Sequence, residues 1–176
     1  VDRAGDLSAD RASRDRRAFF TNANGCVARG AWEQVPFRAV SYAEDQMLAR
    51  DMMSAGWAKA YQPTAVVTHS HDYPPGRQLR RAFDESRALR EVHGYRAHGG
   101  PARLALVVQR EVRDDMGLLR REGFPLRRCF PVLLHSVAHH FARVVGATLG
   151  SRADRLPARV RRLLSLERRG GFDPQC

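Results

Sequence analysis

Ser41-Tyr42-Ala43-Glu44-Asp45-Gln46, near the middle of residues 20–73, is the stretch from which the first part of the chain is read. Ser41 and Glu44 stand at capping-box spacing, in which the serine hydroxyl takes a backbone N–H three residues on and the glutamate reaches back. Met47, Leu48, Met52 and Ala55 then recur with helical period, and Gly56 follows as a stop. The pattern predicts a helix over 41–56 with two adjacent carboxylates in its first turn. Capping accounts for Glu44. Asp45 is not required by that motif, although the helix dipole favours a carboxylate there in any case.

Working outward toward the C-terminus, Lys59-Ala60-Tyr61 and Ala65-Val66-Val67-Thr68 read as two short strands around the Gln62-Pro63 turn. The second runs directly into His69-Ser70-His71-Asp72. On a strand His69 and His71 share a face and can converge on a metal, whereas in a loop only one need do so. Solvent-facing histidines fit the same letters. Toward the N-terminus, Phe19-Phe20-Thr21 and Cys26-Val27-Ala28 are further strand candidates around the turn Asn22-Ala23-Asn24-Gly25. Arg29 to Val35 makes a short helix stopped by Pro36. Asn22, Asn24 and Arg29 are read either as a polar loop lining a ligand site or as a hairpin turn with a surface arginine. Residues 1–18, rich in Asp, Arg, Ser and Ala without a sustained period, read as a loop or a truncated edge.

Beyond Tyr73 the pattern turns helical. Leu79, Phe83, Ser86, Leu89 and His93 form one stripe, ended by His98-Gly99-Gly100-Pro101. Ala105, Val108, Val112, Met116 and Leu119 define a second helix stopped near Gly123 and Pro125. Leu133, Val137, Phe141 and Val144 define a third, and Pro157 to Leu166 a short basic fourth. His135 and His139 are one turn apart, but no glutamate follows His135 as in a helical zinc protease, so these and His140 read as packing or interface residues.

The formal net charge is +11. Residues 1–72 balance nine basic against nine acidic side chains, so the excess sits in residues 73–176, where 21 arginines face ten carboxylates. Such a surface favours anionic partners. Nucleic acid is disfavoured, because residues 101–169 hold neither Tyr nor Trp for stacking on bases. Arg-rich amphipathic helices also suit an anionic membrane surface. Phe130 to Leu149 is interrupted by His135, His139, His140 and Arg143 and is a poor spanning segment. Cys26, Cys129 and Cys176 are far apart and odd in number, which matches a reduced, cytosolic setting.

Phe19-Phe20-Thr21-Asn22-Ala23-Asn24-Gly25, Trp32-Glu33-Gln34-Val35-Pro36-Phe37, Ala43-Glu44-Asp45-Gln46 and Ala65-Val66-Val67-Thr68-His69-Ser70-His71-Asp72-Tyr73, in that order, resemble the C-terminal half of family 2 glycosyltransferases, in particular bacterial rhamnosyltransferase-like members. Gly146-Ala147-Thr148-Leu149-Gly150, Leu156-Pro157 and Leu164-Ser165 look like the closing segment of the same group. The resemblance implies an α/β fragment. Residues 19–73 would be the acceptor and base half of a GT-A-type domain, followed by an amphipathic helical region over 74–169 and a tail over 170–176.

It also implies inverting transfer of a sugar, rhamnose by the family's suggestion, from a nucleotide-sugar donor to a glycan or lipid-linked acceptor. Asp45 would be the general base with Glu44 beside it, and Asn22, Asn24, Arg29, Trp32 and Gln46 would bind donor or acceptor. His69 and His71 would touch a divalent metal, Mg or Mn, that neutralises the leaving diphosphate. The Asp-x-Asp motif that anchors this metal in the family does not occur in these residues. The chain is therefore expected to be a fragment that is inactive alone, placed in the cytoplasm at the inner face of the membrane. The alternative is a non-catalytic basic remnant that binds a membrane or a partner.

Overall fold

A computed structural model describes residues 19–40, 42–96 and 100–167, and the chain divides between His71 and Asp72 into two compact units. The first holds α1 (Arg29–Gln34) and α2 (Glu44–Ser54); the second holds α3 (Pro75–His93), α4 (Pro101–Arg121), α5 (Leu126–Gly150), a 3-10 turn (Ala153–Arg155) and α6 (Ala158–Leu164). The expected loop at 1–18, the tail at 170–176, Cys176, the His98-Gly99 stop and the Ser41 half of the capping box lie outside the described residues.

The expectation of an α/β fragment is not met. Among the described residues every regular element is a helix and there is no strand. The runs 19–21, 26–28, 59–61 and 65–68, read as strands, have no ladder partner. Short apolar runs specify at most extended backbone. A strand also needs a neighbour whose N–H and C=O groups face it, and without one the side chains stay open, as at Val66, which is 82% exposed.

In the second unit four helix starts are set by proline. Pro75 and Pro101 occupy the first turns of α3 and α4, and Pro125 and Pro157 are the N-caps of α5 and α6. Proline's fixed φ suits these positions, where its missing N–H costs nothing. α3 ends at Gly94, with φ +66, before the Gly99-Gly100 stop read from the sequence.

α3 packs chiefly against α5 around Phe83, which is fully buried, with Ala82, Ala88, Val92, Ala142 and Val144. The helices approach at backbone distance. A Cβ on Gly146 would lie 2.2 Å from the Leu79 carbonyl oxygen, and one on Gly150 2.1 Å from that of Phe83. These obstacles are main chain and cannot rotate aside.

The contact is locked from α3 outward. Asp84, beside Phe83 and equally buried, accepts hydrogen bonds from the Ser165 hydroxyl (3.0 Å), Leu166 N–H (2.7 Å) and Glu167 N–H (3.4 Å), and its other oxygen lies 3.6 Å from the Arg87 guanidinium. Arg90 donates to Asp154 through both terminal nitrogens, one at 2.8 Å, and to the Ser151 carbonyl at 3.1 Å. α4 differs, for none of its residues is buried. It meets α5 through polar pairs: Arg143 to Glu111 at 3.2 Å, and Ser136 and His140 to Asp115 at 2.7 and 2.9 Å.

The same substitution should have opposite effects at two glycines. Gly117 has open space toward the Arg121 tip 3.6 Å away, so Gly117→Ala raises stability by up to about 1 kcal/mol through helix propensity. Gly146→Ala forces α5 off α3 and lowers stability by about 1–3 kcal/mol. Urea unfolding followed by helical circular dichroism reads both.

Acid should loosen this unit. The Arg90 hydrogen bond holds the Asp154 carboxyl down at about 2. Burial raises the pKa of Asp115, but hydrogen bonds from Ser136 and His140 outweigh it, and the net direction is down. Both groups favour the ionised fold. Their contribution is complete above the unfolded value of about 3.9 and is lost as pH falls through the folded values. The urea midpoint therefore falls between pH 5 and pH 2.5, and Asp154→Asn makes that fall smaller.

Candidate functional site

The α2 start brings together Asn22, Glu44, Asp45 and Gln46. Ala43 precedes it with φ +59, a left-handed conformation that costs a β-carbon residue roughly 1–2 kcal/mol, and its carbonyl accepts the first helical bond from Met47 N–H at 3.1 Å. Strain of this kind is kept only where the surroundings hold it. Here the surroundings are the loop at 20–22. The buried Gln46 donates its side-chain amide to the Phe20 carbonyl. Asn22 donates its backbone N–H to Asp45 Oδ2 at 3.2 Å and its side-chain amide to Glu44 Oε1 at 3.3 Å.

Asp45 Oδ1 accepts its own neighbour's N–H, from Gln46, at 2.8 Å. Each oxygen of Asp45 is thus aimed by one amide. A carboxylate has about four lone-pair sites, so acceptor capacity is left over. Asp45 is half-buried and Glu44 exposed.

The other residues singled out in the sequence fall elsewhere in the unit. Asn24 donates to the Ala65 carbonyl at 3.4 Å, and the Lys59 ammonium to the Phe19 carbonyl at 2.5 Å. Arg29 is turned to its own helix and pairs with Glu33 at 2.8 Å, and Trp32 is half-exposed on α1. His69 and His71 meet although no strand carries them, with Nε2 atoms 2.9 Å apart and rings edge to face at 4.4 Å. Two imidazole nitrogens this close suit adjacent positions on one cation or a ring-to-ring hydrogen bond. They offer two ligands only, and among the described residues no group of three or more His, Cys, Asp or Glu side chains is placed to hold a metal.

A cavity of about 710 Å³ opens between the 19–28 loop, α1, α2 and residues 57–65, lined by Phe20, Asn24, Ala31, Leu48, Met52 and Trp57 among others. Asp45 does not line it. α2 supplies Leu48, Ala49, Met52 and Met53 to its wall, and the 19–28 loop and residues 57–65 supply most of the rest. The sequence reading missed it, because periodicity marks an apolar stripe without saying whether anything fills the space beside it.

Arg38 was also passed over. It holds Asp51 with two hydrogen bonds of 2.6 Å and contacts Met47 sulfur, tying the approach to α2 onto the helix body. In the second unit, burial first, then the neighbouring His140 and His135, lower the pKa of His139, which disposes that ring to be neutral. His135 is exposed, and His139 and His140 are half-buried.

Comparison with known proteins gives a partial likeness. The chain is 35% identical over 72 residues to the O-antigen chain rhamnosyltransferase RfbN of Salmonella typhimurium, a match covering 39% of this chain and 23% of that protein. It is 33% identical over 72 residues to the O-antigen chain rhamnosyltransferase WbaN of Salmonella anatum, covering 39% of this chain and 22% of that one. The chain thus spans about a quarter of the length of these curated relatives. No family model matches, and no solved structure matches.

Gln46→Ala tests how the α2 start is held. It leaves the Phe20 carbonyl without its donor, which costs about 1–3 kcal/mol locally. Amide exchange is expected to quicken across residues 20–25 and 43–46 while α3 keeps its protection. Unchanged exchange at 20–25 would show that the loop is held by other contacts.

Proposed function

We propose that residues 19–71 carry the acceptor-activating element of a glycosyltransferase, with Asp45 as general base. The observation that carries this is the setting of Asp45: a carboxylate at a helix start, each oxygen oriented by one backbone amide, half-accessible, beside a strained residue. The partial likeness to two rhamnosyltransferases supports the choice of chemistry.

The acceptor is a sugar hydroxyl on a glycan or a lipid-linked glycan. Its oxygen attacks the anomeric carbon of a nucleotide-sugar donor as the bond from that carbon to the diphosphate oxygen breaks, inverting the centre. The hydroxyl proton passes to Asp45. A carboxylate within hydrogen-bond reach of the nucleophile accepts that proton in the transition state. Asn22 fixes the orientation of Asp45 and Glu44 together, and Gln46 fixes Asn22 through the Phe20 backbone. Rhamnose is the sugar proposed, from the names of the two relatives.

A divalent cation, magnesium or manganese, would neutralise charge on the leaving diphosphate. His69 and His71 would give it two ligands, the others coming from the diphosphate and from outside the described residues. Asn24, which lines the cavity, and Trp32, half-exposed on α1, are assigned to substrate contact.

The test uses a polypeptide that includes a donor-binding region. Asp45→Asn is expected to lower the turnover number by about 10²–10⁴-fold, the range for loss of a general base, with donor affinity and helical content unchanged. Asn22→Ala, which frees the carboxylate without removing it, should lose less. Wild-type turnover in Asp45→Asn would remove Asp45 from the mechanism.

A further inference from the structure

The third apolar stripe read from the sequence, Leu133, Val137, Phe141 and Val144, is split by its helix: Val144 is buried and Leu133 half-buried, whereas Val137 and Phe141 are exposed. α5 turns Ser136, Ala142, Gly146 and Gly150 inward, whereas Phe130, Leu134, Val137 and Phe141 are 64, 57, 43 and 61% exposed. Their spacing of four, three and four residues lines them up on one side, roughly opposite the Gly146 and Gly150 side. The stripe is about 16 Å long at 1.5 Å per residue. Two phenylalanines, a leucine and a valine held in water on one helix face are more than scattered surface apolar residues.

We propose that this face of α5 is a docking surface for an anionic lipid bilayer, on which the helix lies in the plane of the headgroups. Charge singles out this occupant. α5 contains no Asp or Glu, and residues 126–164 carry eight arginines, one of them, Arg143, paired with Glu111 of α4, against one carboxylate, Asp154, which Arg90 already holds. Arg127, exposed, continues the stripe one turn before Phe130. Bulky apolar side chains with arginine at the margin bind the headgroup boundary by burying the former and drawing the latter to anionic phosphates.

A second copy of the chain fits less well. The 4-3-4 spacing would suit a helix pair, but pairing would bring together two surfaces with the same excess of 21 arginines over ten carboxylates in residues 73–176. Insertion across the bilayer does not apply, because no helix among the described residues is long and apolar enough to cross a membrane. Docking goes beyond the sugar-transfer proposal and does not depend on it.

The full chain is sedimented with vesicles of phosphatidylglycerol and phosphatidylethanolamine, and separately with vesicles of phosphatidylcholine alone, without any sugar donor, so that the outcome stands apart from transfer assays. Binding to the anionic vesicles is expected, weakening as salt rises, with little binding to phosphatidylcholine. The double variant Phe130→Ser, Phe141→Ser, altered only at exposed positions, should keep its circular dichroism and bind roughly ten-fold less or weaker still. Arg127→Glu should weaken binding at low salt. No binding of the wild-type chain to anionic vesicles overturns the proposal. So does equal binding by the double variant, or a concentration-dependent dimer that the double variant loses while vesicles recruit neither protein.

Discussion

The second unit is built on a contact in which side chains are absent. Where α5 crosses α3, Gly146 and Gly150 bring its main chain against the carbonyls of Leu79 and Phe83, at a separation no β-carbon could share. Close packing there leaves room for one large side chain, Phe83, among alanines. The groups flanking Phe83 inherit the constraint. Asp84 and Arg87 are shut away from water with it, and a buried carboxylate must find donors. It finds the hydroxyl and two N–H groups at 165–167, which is why the chain beyond α6 returns to α3. Three features distant in sequence follow from one helix crossing.

The three sides of α5 are then unlike one another. The glycine side is committed to α3. The side toward α4 is polar, held by Asp115, Glu111 and their partners on α5, and α4 buries nothing of its own. Few buried apolar contacts mean low local stability, so α4 belongs to the part of the unit that opens first. The remaining side is apolar and open. A helix can satisfy only the neighbours it has, and the residues that exceed that number stay on the surface.

What was legible in the sequence divides along the same line. Helix positions were legible where a residue acts alone on its own backbone: Pro157 at the start of α6, Gly56 with φ +91 and Gly123 with φ +72 at ends, whereas Pro101 and Pro125, read as stops, also open the helices that follow, and Pro75 was not singled out. Contacts within one turn, such as Arg29 with Glu33, were equally open to reading. Features needing a partner were not. The Val137 and Phe141 stripe has the right period for a core face, and period cannot say which face is covered. Asp84 follows Phe83 but lies off the stripe of Leu79, Phe83 and Ser86, so the period does not mark its burial, and its donors lie 81 to 83 residues away. The strands failed for the same reason, since a ladder is a property of two segments. Of the site, the pairing of Glu44 with Asp45 and of His69 with His71 could be read from spacing, while the part played by Asn22 in aiming the carboxylates needed the fold.

The first unit shows what replaces a ladder. Its extended runs still carry backbone groups that need partners. Side chains supply several of them: Gln46 to the Phe20 carbonyl, Lys59 to that of Phe19, Asn24 to that of Ala65. Each of these bonds ties a segment expected as strand to another element through a side chain. The arrangement holds the 19–25 loop against α2 with few apolar contacts, and it leaves the space beside Leu48 and Met52 open as the cavity. Because the same bonds position Asn22 over Glu44 and Asp45, the geometry of the candidate base is set by amide and ammonium side chains and not by a sheet. Substitutions at Gln46, Lys59 or Asn24 therefore reach the carboxylates through the backbone of the loop, without touching them.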